Sequence, residues 1–467
     1  MRPSSRHISA GHCGRFARLL LLSCALCAGC ALQKLDVEPG EPLPVVAHDR
    51  ALPAEAGAEL IETALADRAD DSRAFALVEA IRSHSSQPLI AGNAVTPLVD
   101  GPETFEAITA AVRAARHHVH VETFIFDEDE LGRQFAALLR EKRGEGVEVR
   151  VLYDSVGSMD TAPAFFDELR VAGVEVREFR PMNPVRTPLI WKIHNRDHRK
   201  IIVVDGTVGF TGGINISGTY ASSSSISPGP ERGVDEAWRD THVRIEGPAV
   251  AELQKLFLES WSRAGERTAA CCAAQYFPDL QAAGNHLVMI VANDSEDLKD
   301  RSLYATYLAA FEHASSRLWI THAYFAPNDA LLDAMVEAAK RGVDVRFVAP
   351  GFTDSGIILE ATRSTFTRLL KAGVRVYELD DALLHAKSVV IDGTVSIVGS
   401  ANLDMRSFLH NDEVNAIVVS RDFARRMEEI FERDERAAKA LDLGTWRKRS
   451  LWQRFKEMGS RLLWYWL

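Results

Sequence analysis

Apolar and polar positions along the middle of the chain follow two different periods. Residues 103–116 carry apolar side chains at helical spacing, and residues 118–126 combine β-branched and aromatic residues in the way that strands do. A second helix is predicted over residues 131–143, closed by glycine, and a second strand over residues 147–153. A strand, a helix and a strand in this order predict a parallel sheet with crossover connections.

The same order of elements returns later in the chain. A helix is predicted over residues 303–315, a strand over 317–325 and a helix over 329–341. The segment 342–348 then repeats the pattern of segment 146–152, since Gly-Val-Asp-Val-Arg-Phe-Val parallels Gly-Val-Glu-Val-Arg-Val-Leu. This internal repeat predicts two halves of about 180 residues that share one α/β fold.

Length, composition and charge narrow the classes of protein. A chain of 467 residues with 46% hydrophobic content can bury a large core and is predicted to contain two fused units. The formal net charge of −11 argues against a protein that coats nucleic acid, because phosphate binding leaves a basic footprint on a whole domain. A local basic pocket remains compatible with this balance.

The N-terminus has the features of an export signal. Basic residues precede an apolar run at 19–28, which is too short to span a bilayer comfortably and ends in Ala28-Gly29-Cys30. A cysteine after two small residues predicts a lipoprotein signal over residues 1–30 with Cys30 as the acylated first residue, although Cys27 stands where an aliphatic residue is usual. Ordinary secretion and an uncleaved signal anchor stay open. Each alternative places the body outside the cytoplasm, on the periplasmic side of an inner or outer membrane.

Two further segments flank the predicted domains. Residues 31–72 form a tether and an N-terminal segment, rich at first in Pro, Glu and Ala. Residues 441–467 form a tail that combines tryptophan with Lys and Arg, a composition that suits an interfacial helix on a membrane. The alternative is that this tail packs on the body as an ordinary final helix.

The strongest chemical signal is a set of five residue types that recurs in register in the two halves. The first copy consists of His198, Lys200, Asp205, Gly212 and Asn215. The second copy consists of His385, Lys387, Asp392, Gly399 and Asn402. Chance does not account for a repeat that keeps its register over so many positions.

The spacing of this repeat has a physical meaning. On an extended strand, a His and a Lys two residues apart point to the same face. The Asp and the following Gly predict a turn, after which the next strand brings Gly213 or Ser400 and the Asn back towards the His. Phosphodiester exchange needs a nucleophile, a proton donor and positive charge around the phosphate oxygens. The two halves together supply this set, so that no metal and no cofactor are expected.

The paired His-x-Lys-(four residues)-Asp motif resembles the signature of the phospholipase D superfamily, and both copies are intact. Within that superfamily the chain is most similar to bacterial cardiolipin synthases over roughly residues 90–440. The resemblance implies two phospholipase D-type α-β-α sandwich domains in a pseudo-twofold arrangement, with mixed sheets flanked by helices. We place the first domain at residues 73–270 and the second at residues 285–440.

The resemblance also implies roles for individual residues. One His forms a phosphohistidine and the other acts as acid and base; by analogy we assign His198 to the first role and His385 to the second, although the nearly symmetric motif leaves the order open. Asp240 and Glu413 stand where the family has carboxylates that orient the His of the opposite motif. The aspartates of the motif are expected to hold the strand turns.

The expected function is phosphatidyl transfer that forms cardiolipin from phosphatidylglycerol and an alcohol-bearing phospholipid at a membrane surface. Anionic phospholipids, phosphatidylglycerol and cardiolipin, are the expected partners, and the residues leave the oligomeric state open. Hydrolysis by a phospholipase D is the alternative, followed by a nuclease, against which the acidic charge weighs, so that no nucleic acid is expected. A lipid-binding scaffold would require damaged motifs, and none is present.

Two smaller groups of residues leave a choice. His118, His120 and Glu122 alternate along one predicted strand, where a metal site competes with the more usual half-buried strand residues. Arg406 and Ser407 follow the second Asn of the repeat, where the family likeness favours a place in the site and a helix cap is the alternative.

Overall fold

The structure is a computed structural model that describes residues 35, 37–47, 49–66, 71–182, 194–222, 238–265, 274–297, 299–461 and 463. Residues 39–467 form one compact unit, and residues 1–38 form a separate one. The predicted signal with Cys30 lies outside the described residues.

Four short elements precede the first half. They are β1 (Val46–Ala47), β2 (Arg50–Ala51), α1 (Ala54–Leu65) and α2 (Asp71–Ser83). The first half then follows the order β3 (Ile90–Val99), α3 (Asp100–Ala114), β4 (His118–Thr123), α4 (Glu130–Gly144), β5 (Glu148–Asp154), α5 (Pro163–Val171), β6 (Glu175–Phe179), β7 (Arg196–Asp197), β8 (Ile201–Val204), β9 (Val208–Gly212), β10 (Trp238–Arg239), β11 (Thr241–Glu246) and α6 (Val250–Arg263).

The second half repeats this order with small insertions. Its elements are β12 (His286–Asn293), α7 (Ser302–His313), β13 (Arg317–His322), β14 (Phe325–Ala326), α8 (Asp329–Lys340), β15 (Asp344–Pro350), α9 (Gly356–Ala372), β16 (Arg375–Leu379), β17 (Leu383–Leu384), β18 (Lys387–Ile391), β19 (Val395–Gly399), β20 (Leu403–Asp404), α10 (Met405–Leu409), β21 (Asn411–Val419), α11 (Arg421–Ala437) and β22 (Lys439–Ala440). The tail adds α12 (Leu443–Trp446) and α13 (Leu451–Arg461).

The two halves share one continuous sheet. Across it the first half contributes the order β6-β5-β4-β8-β9-β11-β3, and the second half continues with β12-β21-β19-β18-β13-β15-β16. Strands β4, β5 and β6 run parallel, as do β13, β15 and β16, and the other pairs are antiparallel. The antiparallel pair β3–β12 joins the halves, so that equivalent strands lie at equal distances on either side of this junction.

Helices cover both faces of the sheet. The predicted α-β-α arrangement is therefore confirmed. Side chains along β8 alternate between the two faces, as strand geometry requires. Ile202 and Val204 belong to a core that includes residues of α3, α4 and α5. Ile201 and Val203 belong to a second core with residues of α6 and α11. This second core includes Val288 and Val390, so it crosses from one half into the other.

The predicted helices agree with the structure to within three residues at their ends, but two predicted strands were too long. Strand β4 ends at Thr123 because the next amides find side-chain acceptors: Ile125 N donates to Asn215 Oδ1 at 3.2 Å and Phe126 N donates to Ser158 Oγ at 3.0 Å. Strand β13 ends at His322, and Phe325 begins β14, which pairs with β20. In both halves the chain leaves the sheet where it reaches the site.

None of the helices in the described ranges is long and apolar enough to cross a bilayer.

Candidate active site

Each His of the repeat is positioned by the opposite half of the molecule. Strand β7 runs parallel to the start of β21, and His198 N donates to Asp412 O at 2.9 Å. In the same way β10 runs parallel to β17, and His385 N donates to Arg239 O at 2.8 Å. Because both short pairs cross between the halves, neither histidine can be held in place by its own half alone.

Carboxylates from the opposite half bind the Nδ1 atoms of both imidazoles. His198 Nδ1 lies 3.0 Å from both carboxylate oxygens of Glu413. His385 Nδ1 lies 2.6 Å from Asp240 Oδ2. A carboxylate on Nδ1 orients the ring and leaves Nε2 for chemistry, as in the His–Asp pair of a hydrolase triad.

The residues at the end of β9 and β19 differ between the two pairs. Ser400 Oγ donates to Glu413 Oε2 at 2.6 Å. Gly213 stands at the corresponding place beside Asp240, and a Cβ on Gly213 would approach Asp240 Oδ1 to 2.2 Å. The glycine is therefore required by the close packing of the Asp240 carboxylate, whereas the serine takes part in the hydrogen bonding of Glu413.

The two lysines of the repeat are buried and project into the same region as the histidines. Lys200 Nζ donates to His198 O at 2.6 Å and lies 5.3 Å from the centroid of the Phe124 ring. Lys387 Nζ donates to the corresponding oxygen, His385 O. Burial lowers the pKa of Lys200 to about 7, although the negative charge of Glu413 acts to raise it. Burial also lowers the pKa of Lys387.

The charges of the two motifs act on one another across the two halves. Burial, and after it the charges of Lys200 and Lys387, lower the pKa of His198 well below its ordinary value. Burial and Lys387 also lower the pKa of His385, although Asp240 opposes them. A positively charged surrounding of this kind favours the neutral imidazole and suits a phosphate anion.

The two carboxylates that hold the histidines have pKa values shifted in opposite directions. Burial raises the pKa of Glu413 to about 7, with the Lys200 charge opposing the rise. Burial acts on Asp240 too, but the charges of His385 and Lys387 outweigh it and hold the pKa of Asp240 below its ordinary value. Near neutral pH, Asp240 is therefore ionised and acts to raise the pKa of His385, whereas Glu413 carries only part of a charge beside His198.

The two asparagines of the repeat are placed differently with respect to hydrogen bonding. Asn215 Oδ1 accepts from Ile125 N, and Asn215 Nδ2 donates to Tyr220 Oη at 3.1 Å. The buried amide oxygen of Asn402 has no hydrogen-bond partner among the described residues. Asn215 thus contributes to the architecture of the site, and Asn402 is the asparagine left with unused hydrogen-bonding capacity.

The aspartates of the repeat lie at the far ends of the hairpin strands, about 16 Å along the chain from the lysines by strand geometry. Asp205 accepts hydrogen bonds from the amides of residues 116, 117 and 118 at 2.8 to 2.9 Å. Asp392 accepts from the amides of Ser315, Ser316 and Arg317 at 2.7 to 3.2 Å. Both aspartates tie the hairpin turn to the neighbouring strand, and neither carboxylate faces the histidines.

Four aromatic rings surround the histidines, and the repeat itself contained no signal for them. Tyr220 Oη lies 3.2 Å from His385 Nδ1, in a short 3-10 turn that begins three residues after Asn215. The rings of Trp238 and Tyr324 lie 5.3 Å and 6.4 Å from that of His385, and Phe124 lies 5.0 Å from His198.

Among the residues that follow the second Asn, the helix cap is Asp404 and neither Arg406 nor Ser407. Asp404 caps α10 by accepting from Ser407 N at 2.8 Å, and Ser407 Oγ accepts from Asn402 N at 3.1 Å. Arg406 is half-buried, and its charge contributes to the lowered pKa of His198 after those of the two lysines and His385.

The alternating residues of β4 lie on the opposite side of the strand from the apolar α3–α5 core, and the two histidines among them bond to one glutamine side chain. His118 Nε2 lies 3.1 Å from Gln254 Oε1, and Gln254 Nε2 donates to His120 Nδ1 at 2.8 Å. Burial lowers the pKa of His120 to about 4. In the described part of the chain, no group of three or more His, Cys, Asp or Glu residues could hold a metal ion.

Comparison with known sequences identifies a family. The chain matches the family described as "Cardiolipin synthase, PLD-like domain" over residues 108–225 and 307–435. A cardiolipin synthase of Geobacillus kaustophilus (strain HTA426) is 39% identical over 380 residues, which make up 80% of this chain and 73% of the relative. A cardiolipin synthase of Listeria monocytogenes serotype 4b (strain CLIP80459) is 35% identical over 372 residues, or 79% of this chain and 75% of the relative.

A solved structure shares the fold. The phosphatidylserine synthase of Haemophilus influenzae Rd KW20 superposes with a TM-score of 0.59 at 14% sequence identity, covering 84% of this chain and 100% of that one. At this identity the likeness concerns the architecture.

Proposed function

Because the chain belongs to the cardiolipin synthase family of phospholipase D-like proteins, we propose that it transfers a phosphatidyl group between phospholipids. It forms cardiolipin from phosphatidylglycerol and a second phospholipid that carries a free alcohol. The observation that carries this proposal is the pair of buried imidazoles, each bound at Nδ1 by a carboxylate of the opposite half.

The first step uses His198 as the nucleophile. Its pKa lies well below the ordinary value, so the ring is neutral at physiological pH and Nε2 has a free electron pair. Attack on phosphorus forms a P–N bond and breaks the P–O bond to the headgroup glycerol. The protonated form of His385, which the ionised Asp240 at Nδ1 stabilises, gives its Nε2 proton to the departing alkoxide, which leaves as glycerol.

The second step regenerates both histidines. The neutral His385 takes the proton from the hydroxyl of the acceptor phospholipid, and the oxygen of that hydroxyl attacks phosphorus. The P–N bond to His198 breaks as the new P–O bond forms, and cardiolipin leaves. The electrostatic difference between Asp240 and Glu413 supports this order of roles, because the more strongly ionised carboxylate holds the residue that must carry a proton first.

Lys200 and Lys387 supply the positive charge for the phosphate. Both are buried beside the histidines, where charges in a medium of low dielectric constant interact strongly with the oxygens of the transition state. The same charges favour anionic phospholipids as substrates.

Product analysis tests the reaction. Purified protein is incubated with vesicles of labelled phosphatidylglycerol, and cardiolipin, phosphatidic acid and free glycerol are quantified. We expect cardiolipin and glycerol in equal amounts. Phosphatidic acid as the sole lipid product would identify the enzyme as a phospholipase D hydrolase.

Trapping of the intermediate tests the roles of the two histidines. His385→Ala lacks the acid of the first step and the base of the second, so it is given a labelled phosphatidyl substrate whose leaving group needs no proton, such as p-nitrophenol, and is expected to leave label on His198. His198→Ala is expected to show neither label nor product. Label on residue 385 in the His198→Ala variant would reverse the assignment.

We also propose a lipid anchor at Cys30 on the periplasmic side, which rests on the signal-like pattern of residues 1–30. Mass spectrometry of the mature N-terminus is expected to find an acylated Cys30. A Cys30→Ser variant is expected to keep an unprocessed N-terminus; a mature chain that begins elsewhere would contradict the anchor. We further propose that the two domains span residues 73–270 and 285–440.

A further inference from the structure

The C-terminal helix α13 packs on the body through its polar side. Lys456 Nζ donates to Glu360 Oε1 of α9 at 2.6 Å, and Gln453 donates to the other oxygen of the same carboxylate. Glu457 is buried and accepts two hydrogen bonds from Arg449, each 2.7 Å long. With Ser460, which is also buried, these residues recur every three to four positions and so form one face of the helix.

The apolar side of α13 points away from the body. Leu451, Trp452, Phe455 and Met458 are 80%, 67%, 58% and 61% exposed. At 3.6 residues per turn they form a stripe opposite the docked polar face. The rings of Trp452 and Phe455 stack on each other at 5.7 Å. An ordinary surface helix has the reverse orientation, with its apolar stripe towards the core.

This stripe concentrates apolar exposure in one place. Half of the large apolar side chains that are exposed in the described chain lie within residues 451–463. Contiguous exposed apolar surface with a polar border marks an interaction site.

Positive charge lies directly beside the stripe. Arg447, Lys448 and Arg454 are exposed, and none of the three forms an ion pair with a described residue. Lys371 of α9, exposed as well, lines the same shallow groove as Arg447 and Arg454. The chain as a whole has a formal net charge of −11, so this local surplus of cations is opposite in sign to the charge of the chain.

The surface is connected to the active site through α9. The first turn of α9 carries the exposed Ile357, one turn before Glu360. Just before that helix begins, Asp354 accepts a hydrogen bond from Tyr324, whose ring lies 6.4 Å from that of His385. Helix α13 therefore lies along the helix whose start borders the catalytic histidines.

We propose that α13 docks the enzyme on a bilayer that contains anionic phospholipid. Trp452, Phe455 and their apolar neighbours enter the boundary between headgroups and acyl chains, and the flanking cations bind lipid phosphates. The composition of the stripe selects a membrane over a protein partner, since aromatic and aliphatic residues flanked by unpaired Arg and Lys match a bilayer surface. The inference rests on the proposed function only in its choice of lipid.

Fluorescence quenching tests the insertion of one residue. Full-length protein is mixed with vesicles of brominated phosphatidylglycerol, and its tryptophan quenching is compared with that of Trp452→Phe, which keeps an apolar ring. We expect the wild-type protein to lose more tryptophan fluorescence than Trp452→Phe, because the emission of Trp452 is strongly quenched. Brominated vesicles of zwitterionic phosphatidylcholine are expected to quench it less. Because the comparison isolates the signal of Trp452, its result does not depend on whether the N-terminus is also attached to the vesicle. Equal quenching in both proteins contradicts the proposal.

Activity on two forms of substrate separates docking from chemistry. For Trp452→Ser/Phe455→Ser we expect the rate at limiting vesicle concentration to fall by roughly tenfold or more, since two buried aromatic side chains are lost from the bilayer contact. The rate on short-chain phosphatidylglycerol dissolved below its micelle concentration is expected to stay at the wild-type level. Met159→Ser/Val171→Ser, two exposed apolar residues of the first half, is the matched control and is expected to leave both rates unchanged.

The possible results are distinct. An unchanged vesicle rate in Trp452→Ser/Phe455→Ser, or an equal loss in the control variant, overturns the docking surface. A wild-type protein that makes no product from dissolved substrate or from vesicles contradicts the proposed function, and the quenching experiment still decides about α13.

Discussion

At the scale of single residues, the two histidine–carboxylate pairs differ in what stands behind the carboxylate. Ser400 donates to Glu413, whereas Gly213 leaves Asp240 the space to approach the backbone. The pKa shifts of the two carboxylates also have opposite signs, because the charges of His385 and Lys387 outweigh burial at Asp240, whereas the charge of Lys200 does not outweigh burial at Glu413. In the mechanism proposed above, this asymmetry suits His198 to attack and His385 to proton transfer.

Alanine at residue 213 is expected to disable the site while leaving the fold intact. The added Cβ would lie only 2.2 Å from Asp240 Oδ1, which is much shorter than a van der Waals contact, and would displace the carboxylate from His385. We expect Gly213→Ala to lower kcat by about 10²-fold, the size of effect that misplacement of a catalytic group produces. Gly144→Ala, where a Cβ meets nothing within 4 Å, is the matched control and should keep full activity. Wild-type kcat in Gly213→Ala would contradict the packing argument.

The pH dependence of kcat/KM is expected to report Lys200. Its pKa is lowered to about 7, so the charged form that binds phosphate is present below that pH and is lost as the pH rises through it. We therefore expect kcat/KM to fall on the alkaline side of pH 7. Glu413→Gln removes a negative charge that raises this pKa and should move the fall to lower pH. A profile that is flat from pH 6 to 9 is incompatible with this role.

At the scale of elements, the hairpins β8–β9 and β18–β19 carry the chemistry at one end and are tied to the sheet at the other. Asp205 and Asp392 sit at the turns in the left-handed region, with φ of 53° and 54°. Aspartate tolerates that conformation better than most residues and accepts the amides of the neighbouring strand. The spacing between the Lys and the Asp, which is the same in both copies of the repeat, is thus the length of the strand that separates the site from the hairpin turn.

Substitution of Asp392 is expected to affect stability more than chemistry. Asp392→Ala leaves three backbone amides without their acceptor and puts alanine in the left-handed region, which we expect to cost about 3 kcal/mol in the free energy of unfolding. Asp392→Asn keeps an acceptor and the tolerance for positive φ, and is expected to cost about 1 kcal/mol. Urea unfolding measures both. Equal losses in the two variants would show that the carboxylate oxygens are not what holds the turn.

At the scale of the whole molecule, the continuous sheet and the crossing carboxylates make the two halves one structural unit. The junction β3–β12 and the core beneath it join the halves, and each histidine depends on the opposite half for its carboxylate. The site can therefore exist only when both halves are folded and paired.

Unfolding is accordingly expected to be cooperative across residues 39–467. Fluorescence and far-UV circular dichroism should follow the same urea transition. Asp205→Asn in the first half and Asp392→Asn in the second should both shift that one transition. Two separate transitions, each shifted by only one of the variants, would show that the halves unfold independently.

The sequence by itself determined the repeated fold and predicted the residues that are proposed to react. The period of the apolar positions predicted the helices and strands of both halves, because burial of one face follows directly from the spacing of side chains. The repeated His, Lys, Asp and Asn identified the family, and the matches over residues 108–225 and 307–435 confirm it. The predicted strands 118–126 and 317–325 were too long, because the amides of Ile125, Phe126 and Phe325 bond to side chains that are distant in sequence.

The tertiary structure alone decided how these residues differ from one another. Tyr220 joins Asn215 to His385 through contacts that no spacing encodes. Burial acts to raise the pKa of both Asp240 and Glu413, and the net shifts differ in sign because the charged neighbours of the two carboxylates differ. The tail shows the same limit, since its periodicity predicts an amphipathic helix whichever face is docked. Which side of α13 meets the body depends on Glu360 and Arg449, that is, on partners brought into contact by folding.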